Sequence, residues 1–195
     1  AAGLCEFEIG NAKDSKSSAF LILGTGTGGC ICNENGVIYG KDSFAGEFHK
    51  LPFINFSTGK MDNMGDYASM TALINIYNDK VDENVKIKYG HEVCNKYFEG
   101  DNTAKEAVDQ WIDNILVQLI TITVFYNPEV ICIGGGISEE EWFINRIKDR
   151  YREECIRHTE CDVITTKIDR CKYNNDANIL GAIINASKKR TVIYN

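Results

Sequence analysis

Two glycine clusters stand where backbone N–H groups could meet phosphate oxygens. The first is Gly24-Thr25-Gly26-Thr27-Gly28-Gly29, with the spacing G-x-G-x-x-G; the second is Gly134-Gly135-Gly136. Glycine lets a backbone approach a ligand closely, and successive N–H groups in such a turn form an anion-binding concavity. Thr25 and Thr27 add hydroxyl donors. A dinucleotide fingerprint needs strand, glycine turn and helix in series, so that the helix N-terminus faces the pyrophosphate. Here Cys30-Ile31-Cys32 and a turn follow the first cluster, which argues against that reading. No Gly-Lys-Ser/Thr follows, so the loop is not a Walker A loop. Taken alone, each cluster could still be a tight turn without a ligand. Taken together, they suggest a nucleotide held between two walls.

The elements that must position these clusters read as follows. Residues 18–40 form an antiparallel β meander, with Asn35-Gly36 as its hairpin turn. Ala68, Ala72, Leu73, Ile76 and Tyr77 sit at helical spacing and predict a helix over 66–78. A short helix over 91–100 is stopped by Gly100. Thr103-x-x-Glu106 is a capping box opening a long helix, which Asn127-Pro128 ends. Residues 129–133 form a continuous apolar run, as in a buried parallel strand, and the second glycine cluster follows it. Ser138-x-x-Glu141 is a second capping box, for a helix to about 157. A strand over 162–166 and a closing helix over 175–187 complete an α/β layer arrangement. Glu139-Glu140-Glu141 complements the dipole of a first helical turn. His91 and His158 read as solvent-facing, and Asp66 as a helix N-cap.

Composition narrows the class. The chain has 195 residues, 44% apolar and 25% charged, enough for one or two small domains with a sizeable core. With 21 basic and 28 acidic residues the net charge is −7, which disfavours nucleic-acid binding. No transmembrane run or signal peptide is apparent. The eight cysteines (Cys5, Cys30, Cys32, Cys94, Cys132, Cys155, Cys161 and Cys171) include no Cys-x-x-Cys pair and read as reduced thiols of a cytoplasmic protein. Ala1 to Phe7 reads as the inside of a helix and no Met opens the chain, which points to a longer protein with upstream functional residues.

At this point the residues resemble a known family. "LGTGTGGCICNENGVIYGKDSFAGEFHKLPF" is similar to the signature region of the ROK family of bacterial sugar kinases and repressors. "DYASMTAL", "NPEVICIGGGIS" and "NDANILGAIINA" resemble its later motifs, in the right order over nearly the whole chain. The resemblance implies a ribonuclease H-like α/β domain of the actin/hexokinase/Hsp70 superfamily, a β-meander followed by helices and βα units. It makes residues 1–195 the C-terminal domain, with 1–60 β-rich and facing sugar and phosphate, 61–195 mostly helical, and the N-terminal domain absent.

The activity implied is transfer of the γ-phosphoryl of ATP, with Mg2+, to a hexose or N-acyl-hexosamine hydroxyl. By resemblance Gly24, Thr25 and Gly26 approach the phosphates and Gly134, Gly135 and Gly136 line the adenosine side. Glu47 matches a sugar-binding glutamate; a carboxylate accepts from two adjacent hydroxyls. His49 stands one residue before the family's histidine position, which Lys50 occupies. The family's catalytic Asp would lie just upstream of Ala1, so this chain alone is expected to be inactive. "INFSTGKMDNMG" replaces the family's zinc segment and carries no Cys or His, so no zinc is expected. The family's glutamate before "YAS" falls on Gly65. The resemblance also implies a homo-dimer. The alternatives are a sugar-sensing transcriptional regulator and a non-catalytic binding relative.

Overall fold

The computed structural model describes residues 1–193. The described residues form a mixed sheet of order β3-β2-β1-β6-β7, from β1 (Ser17–Leu23), β2 (Thr27–Asn33), β3 (Gly36–Ile38), β6 (Val130–Gly134) and β7 (Lys167–Arg170). β1 to β3 are the antiparallel meander, with Gly36 at φ +107 in its hairpin turn. β1 runs parallel to β6, and β6 parallel to β7, with Ile22 opposite Gly134. Both glycine clusters therefore emerge at the same end of the sheet, from adjacent strands.

Strand alternation sorts side chains onto two faces. Ala19, Leu21, Leu23, Ile131 and Ile133 face the larger core, built with helices α3 (Met70–Asn78), α4 (Gly90–Glu99), α5 (Asn102–Tyr126) and α6 (Glu141–Thr159). Phe20, Cys32, Val130 and Cys132 face a smaller core with Phe7 of helix α1 (Ala2–Ile9); α7 (Ala177–Ile193) packs along α1. The buried Glu6 carboxylate ties α1 to the loop after β7, accepting from Lys172 N at 2.9 Å and Tyr173 N at 2.7 Å.

The structure corrects five expectations. The helix over 66–78 is broken at Ser69 into α2 (Gly65–Ala68) and α3. Ser69 is extended and its hydroxyl caps α3, while the buried Trp111 indole donates to the stranded carbonyls of Ala68 (3.0 Å) and Ser69 (2.9 Å). Asp66 lies within α2 and is not its N-cap. Asp101, not Thr103, caps α5, accepting from Ala104 N at 2.8 Å. Ser138 lies in a 3-10 turn (Gly136–Glu139) and forms no capping box; α6 starts at Glu141 with no side-chain cap. The final strand is Lys167–Arg170, not 162–166, because pairing with β6 aligns Ile131 with Ile168. A hairpin of β4 (Pro52–Asn55) and β5 (Lys60–Asn63) was not anticipated. Its turn is set by the Asn55 side chain, which accepts from Ser57 N at 3.0 Å and Thr58 N at 3.3 Å, with Gly59 at φ +64.

Candidate functional site

Gly24, Thr25 and Gly26 form the turn between β1 and β2. Gly24 N–H donates to Gly26 O at 2.9 Å, and Gly24 O accepts from Met70 N at 2.9 Å, which docks the start of α3 on the turn. Neither Gly24 nor Gly26 takes a left-handed φ. A β-carbon on Gly24 would meet nothing closer than Gly26 O at 3.6 Å, and one on Gly26 nothing closer than His49 Nδ1 at 4.0 Å. The fold itself does not require glycine at these two positions. What their bare backbone leaves is open space, beside a half-buried Gly24 and an exposed Gly26.

Gly135 is different. It has φ +95, and a β-carbon there would lie 2.0 Å from Leu23 O. The second glycine cluster thus packs on the last residue of β1, immediately before Gly24. The Ser138 hydroxyl fixes the turn by donating to Gly135 O at 2.7 Å. Gly136 has open space and lines a pocket of about 220 Å³ with Met70, Cys94, Phe98, Ile137 and Trp142. Trp142 Nε1 is buried without a hydrogen-bond partner. His91, read as solvent-facing, is exposed and also borders this pocket. The pocket was invisible to spacing arguments, because its residues come from α3, α4, α6 and the glycine turn.

His49 and Glu47 lie at the 3-10 turn Phe48–Lys50. His49 Nε2 is 3.6 Å from Asp66 Oδ1. The Nδ1 edge of its ring faces Gly65 and the Gly26 backbone. Thr27 Oγ1, buried and without a partner, borders the same Gly65. His49 is therefore brought to the Gly24-Thr25-Gly26 turn, with Thr27 and Asp66 beside it. Glu47 is exposed, and its carboxylate has no hydrogen bond or ion pair among the described residues. Gln118 of α5 holds this segment by donating to Phe48 O at 3.0 Å. In the sequence Gln118 was only an interruption of an apolar run.

Among the described residues, no group of three His, Cys, Asp or Glu side chains is placed to hold a metal ion, and no helix is long and apolar enough to cross a membrane.

The family model for "ROK family" matches residues 1–189. The chain belongs to the ROK family. An uncharacterized protein of Clostridium perfringens is 34% identical over 94% of this chain and 60% of its own length. The N-acetyl-D-glucosamine kinase of Vibrio atlanticus is 28% identical over 87% of this chain and 59% of its own. A ROK family protein from Streptococcus pneumoniae, solved in complex with sucrose, superposes with a TM-score of 0.85 at 24% identity, over 97% of this chain and 64% of that one. A ROK glucokinase from Streptomyces griseus, solved with glucose and AMPPNP, superposes with a TM-score of 0.78 at 21% identity, over 93% and 64%. The fold is thus the actin/hexokinase-like α/β fold of ROK sugar kinases. The chain spans about 60% of the length of the curated relatives it matches.

Proposed function

We propose that this ROK chain is the C-terminal domain of an ATP-dependent kinase acting on a hexose or N-acyl-hexosamine. One observation carries the reading: two glycine turns leave adjacent parallel strands at one end of the sheet, and Gly24 and Gly26 have no internal packing reason to be glycine. Such a pair suits a nucleotide whose phosphates lie on the Gly24-Thr25-Gly26 backbone and whose adenosine follows Gly134, Gly135 and Gly136 toward the 220 Å³ pocket. The orphaned Thr27 hydroxyl and Trp142 N–H are donors that a polar ligand would satisfy.

ATP, when bound, supplies the phosphoryl group for a sugar hydroxyl. Glu47 and His49 would hold the sugar on the rim of the turn. Glu47 accepts from hydroxyls, and His49 would contact the sugar through Nε2, which lies 3.6 Å from Asp66 Oδ1. Mg2+ would be held mainly by the nucleotide phosphates and water. In this reading neither Glu47 nor His49 acts as the general base, so the chain alone binds without turning over; a cytoplasmic location and a homo-dimer belong to the same proposal.

The test is nucleotide titration of this chain, wild type against Gly26→Ala. The substitution should leave the melting temperature unchanged and weaken ATP binding at least several-fold, because the added methyl occupies ligand space only. Equal ATP affinity in both proteins, or none in wild type, would refute the assignment of the turn. ADP release with glucose, N-acetylglucosamine or a β-glucoside should be absent for this chain and present for the complete protein.

A further inference from the structure

The α1-facing side of the sheet carries a concentration of thiols. Cys30 and Cys32 alternate with Ile31 on β2, so both project to this face, with their Sγ atoms 4.0 Å apart. Cys132 and Cys171 belong to the same small core. Their surroundings differ. Burial pushes the Cys132 thiol up to about 12 and the Cys171 thiol upward as well, which keeps both protonated and inert. Cys30 is half-buried, and its thiol is held below the usual value, chiefly by the hydrogen bond from Cys32. The same contact and burial push Cys32 upward. Cys30, the less buried of the two, is the member placed to meet an oxidant, and the buried Cys32, 4.0 Å away, is placed to resolve it.

We propose that Cys30 and Cys32 are a reversible oxidative modification site, a peroxide-sensitive dithiol on β2. The Cys30 thiolate attacks one oxygen of hydrogen peroxide, the O–O bond breaks, and Cys30 sulfenic acid and hydroxide form. The Cys32 sulfur then attacks the Cys30 sulfur, losing its proton, and the S–O bond breaks to release water. Two electrons pass from the dithiol to the peroxide, which ends as two waters. An external dithiol reverses the step by thiol–disulfide exchange.

Position on the strand explains why the bridge would be labile. Residues i and i+2 of an extended strand stand about 6.6 Å apart, near the upper limit of the Cα separation a disulfide spans. Closing it must buckle β2, and strained disulfides are the readily reduced ones. The buckle would fall against the segment before Glu47: a β-carbon on Gly46 would lie 2.7 Å from Cys30 Cα, so backbone already touches backbone there. Oxidation would therefore displace residues 46–49. A consequence for sugar binding rests on the kinase reading above; the chemistry of the pair does not.

The experiment treats the chain with hydrogen peroxide and reads intact mass, peptide mapping and amide exchange, before and after an added dithiol. The expected product has lost the mass of two hydrogens, maps to a Cys30–Cys32 bridge, exchanges faster over 27–33 and 46–49, and reverts with dithiol. Cys32→Ser should instead stop at a Cys30 sulfenic acid trappable by dimedone. An unchanged dithiol at peroxide levels that oxidise a Cys-Ile-Cys peptide, or a bridge between other cysteines, would overturn the proposal without any variant having to fold. Unchanged exchange over 46–49 in the bridged protein would overturn the coupling to that segment. Lost ATP binding in the Gly26→Ala test would leave both results intact.

Discussion

The His49 imidazole fills the space that a side chain at Gly65 would need: a β-carbon there would lie 1.9 Å from Nδ1 and 2.6 Å from Thr27 Oγ1. The bare backbone of Gly65 and the ring of His49 are thus matched to one another. The ring lies over position 65, and the carboxylate beside it is that of the next residue, Asp66.

Gly65→Ala should therefore cost about 1–3 kcal/mol, the usual range for overpacking a filled site. His49→Ala alone should cost less. The double variant should be more stable than the sum of the two, by a coupling of about 0.5–2 kcal/mol, since removing the ring removes the nearest obstacle. Urea denaturation of the four proteins measures this. Strict additivity would show that the ring is not the obstacle.

Gly135 and Gly136 make a sharper pair. Gly135→Ala drives a methyl into Leu23 O at a positive φ, and should lower stability by roughly 2–4 kcal/mol. Gly136→Ala has open space and ordinary φ, so its effect should stay within about 0.5 kcal/mol. Thermal melts distinguish them. Equal losses would contradict the packing of the second turn on β1.

The start of α5 tests capping. Asp101→Ala should cost about 1 kcal/mol, because its carboxylate satisfies Ala104 N–H. Thr103→Ala should be nearly neutral, since Thr103 is already inside the helix. The opposite ranking would restore the capping box at Thr103-x-x-Glu106.

That contrast shows what was legible in sequence and what was not. The meander, the helix ending at Asn127, the buried strand before Gly134 and both glycine turns follow from local rules of period and turn chemistry. The caps were misplaced because Asp101 and Thr103 both suit the role, and spacing alone cannot choose between them. The break at Ser69 depends on Trp111, more than forty residues away, whose indole N–H donates to the two freed carbonyls. β7 was placed too early because its register is fixed by β6, not by its own composition. At the site, Glu47, His49 and the glycines could be named from the family pattern. Thr27, Asp66 and Trp142 gain interest only when the fold strands their polar atoms or seats them beside His49.

The hairpin β4–β5 gives a pH-dependent prediction. Asp62 on β5 accepts from Tyr67 Oη at 2.5 Å and from Asn55 Nδ2 at 3.0 Å, tying the hairpin to α2. The Tyr67 hydroxyl, and after it the Asn55 amide, hold the Asp62 carboxyl below its ordinary value. A carboxyl depressed by folding stabilises the fold above its unfolded value of about 3.9, and that contribution fades as pH falls through the lower, folded value. Wild type and Asp62→Asn should therefore differ in melting temperature near neutral pH and converge as pH falls below about 4. In a carboxyl NMR titration, Tyr67→Phe should move the Asp62 midpoint up toward the ordinary value. A midpoint unmoved by Tyr67→Phe would mean that the hydroxyl does not hold the charge, and the anchor between hairpin and α2 would then be packing of Phe53 on Tyr67, whose rings lie 4.4 Å apart.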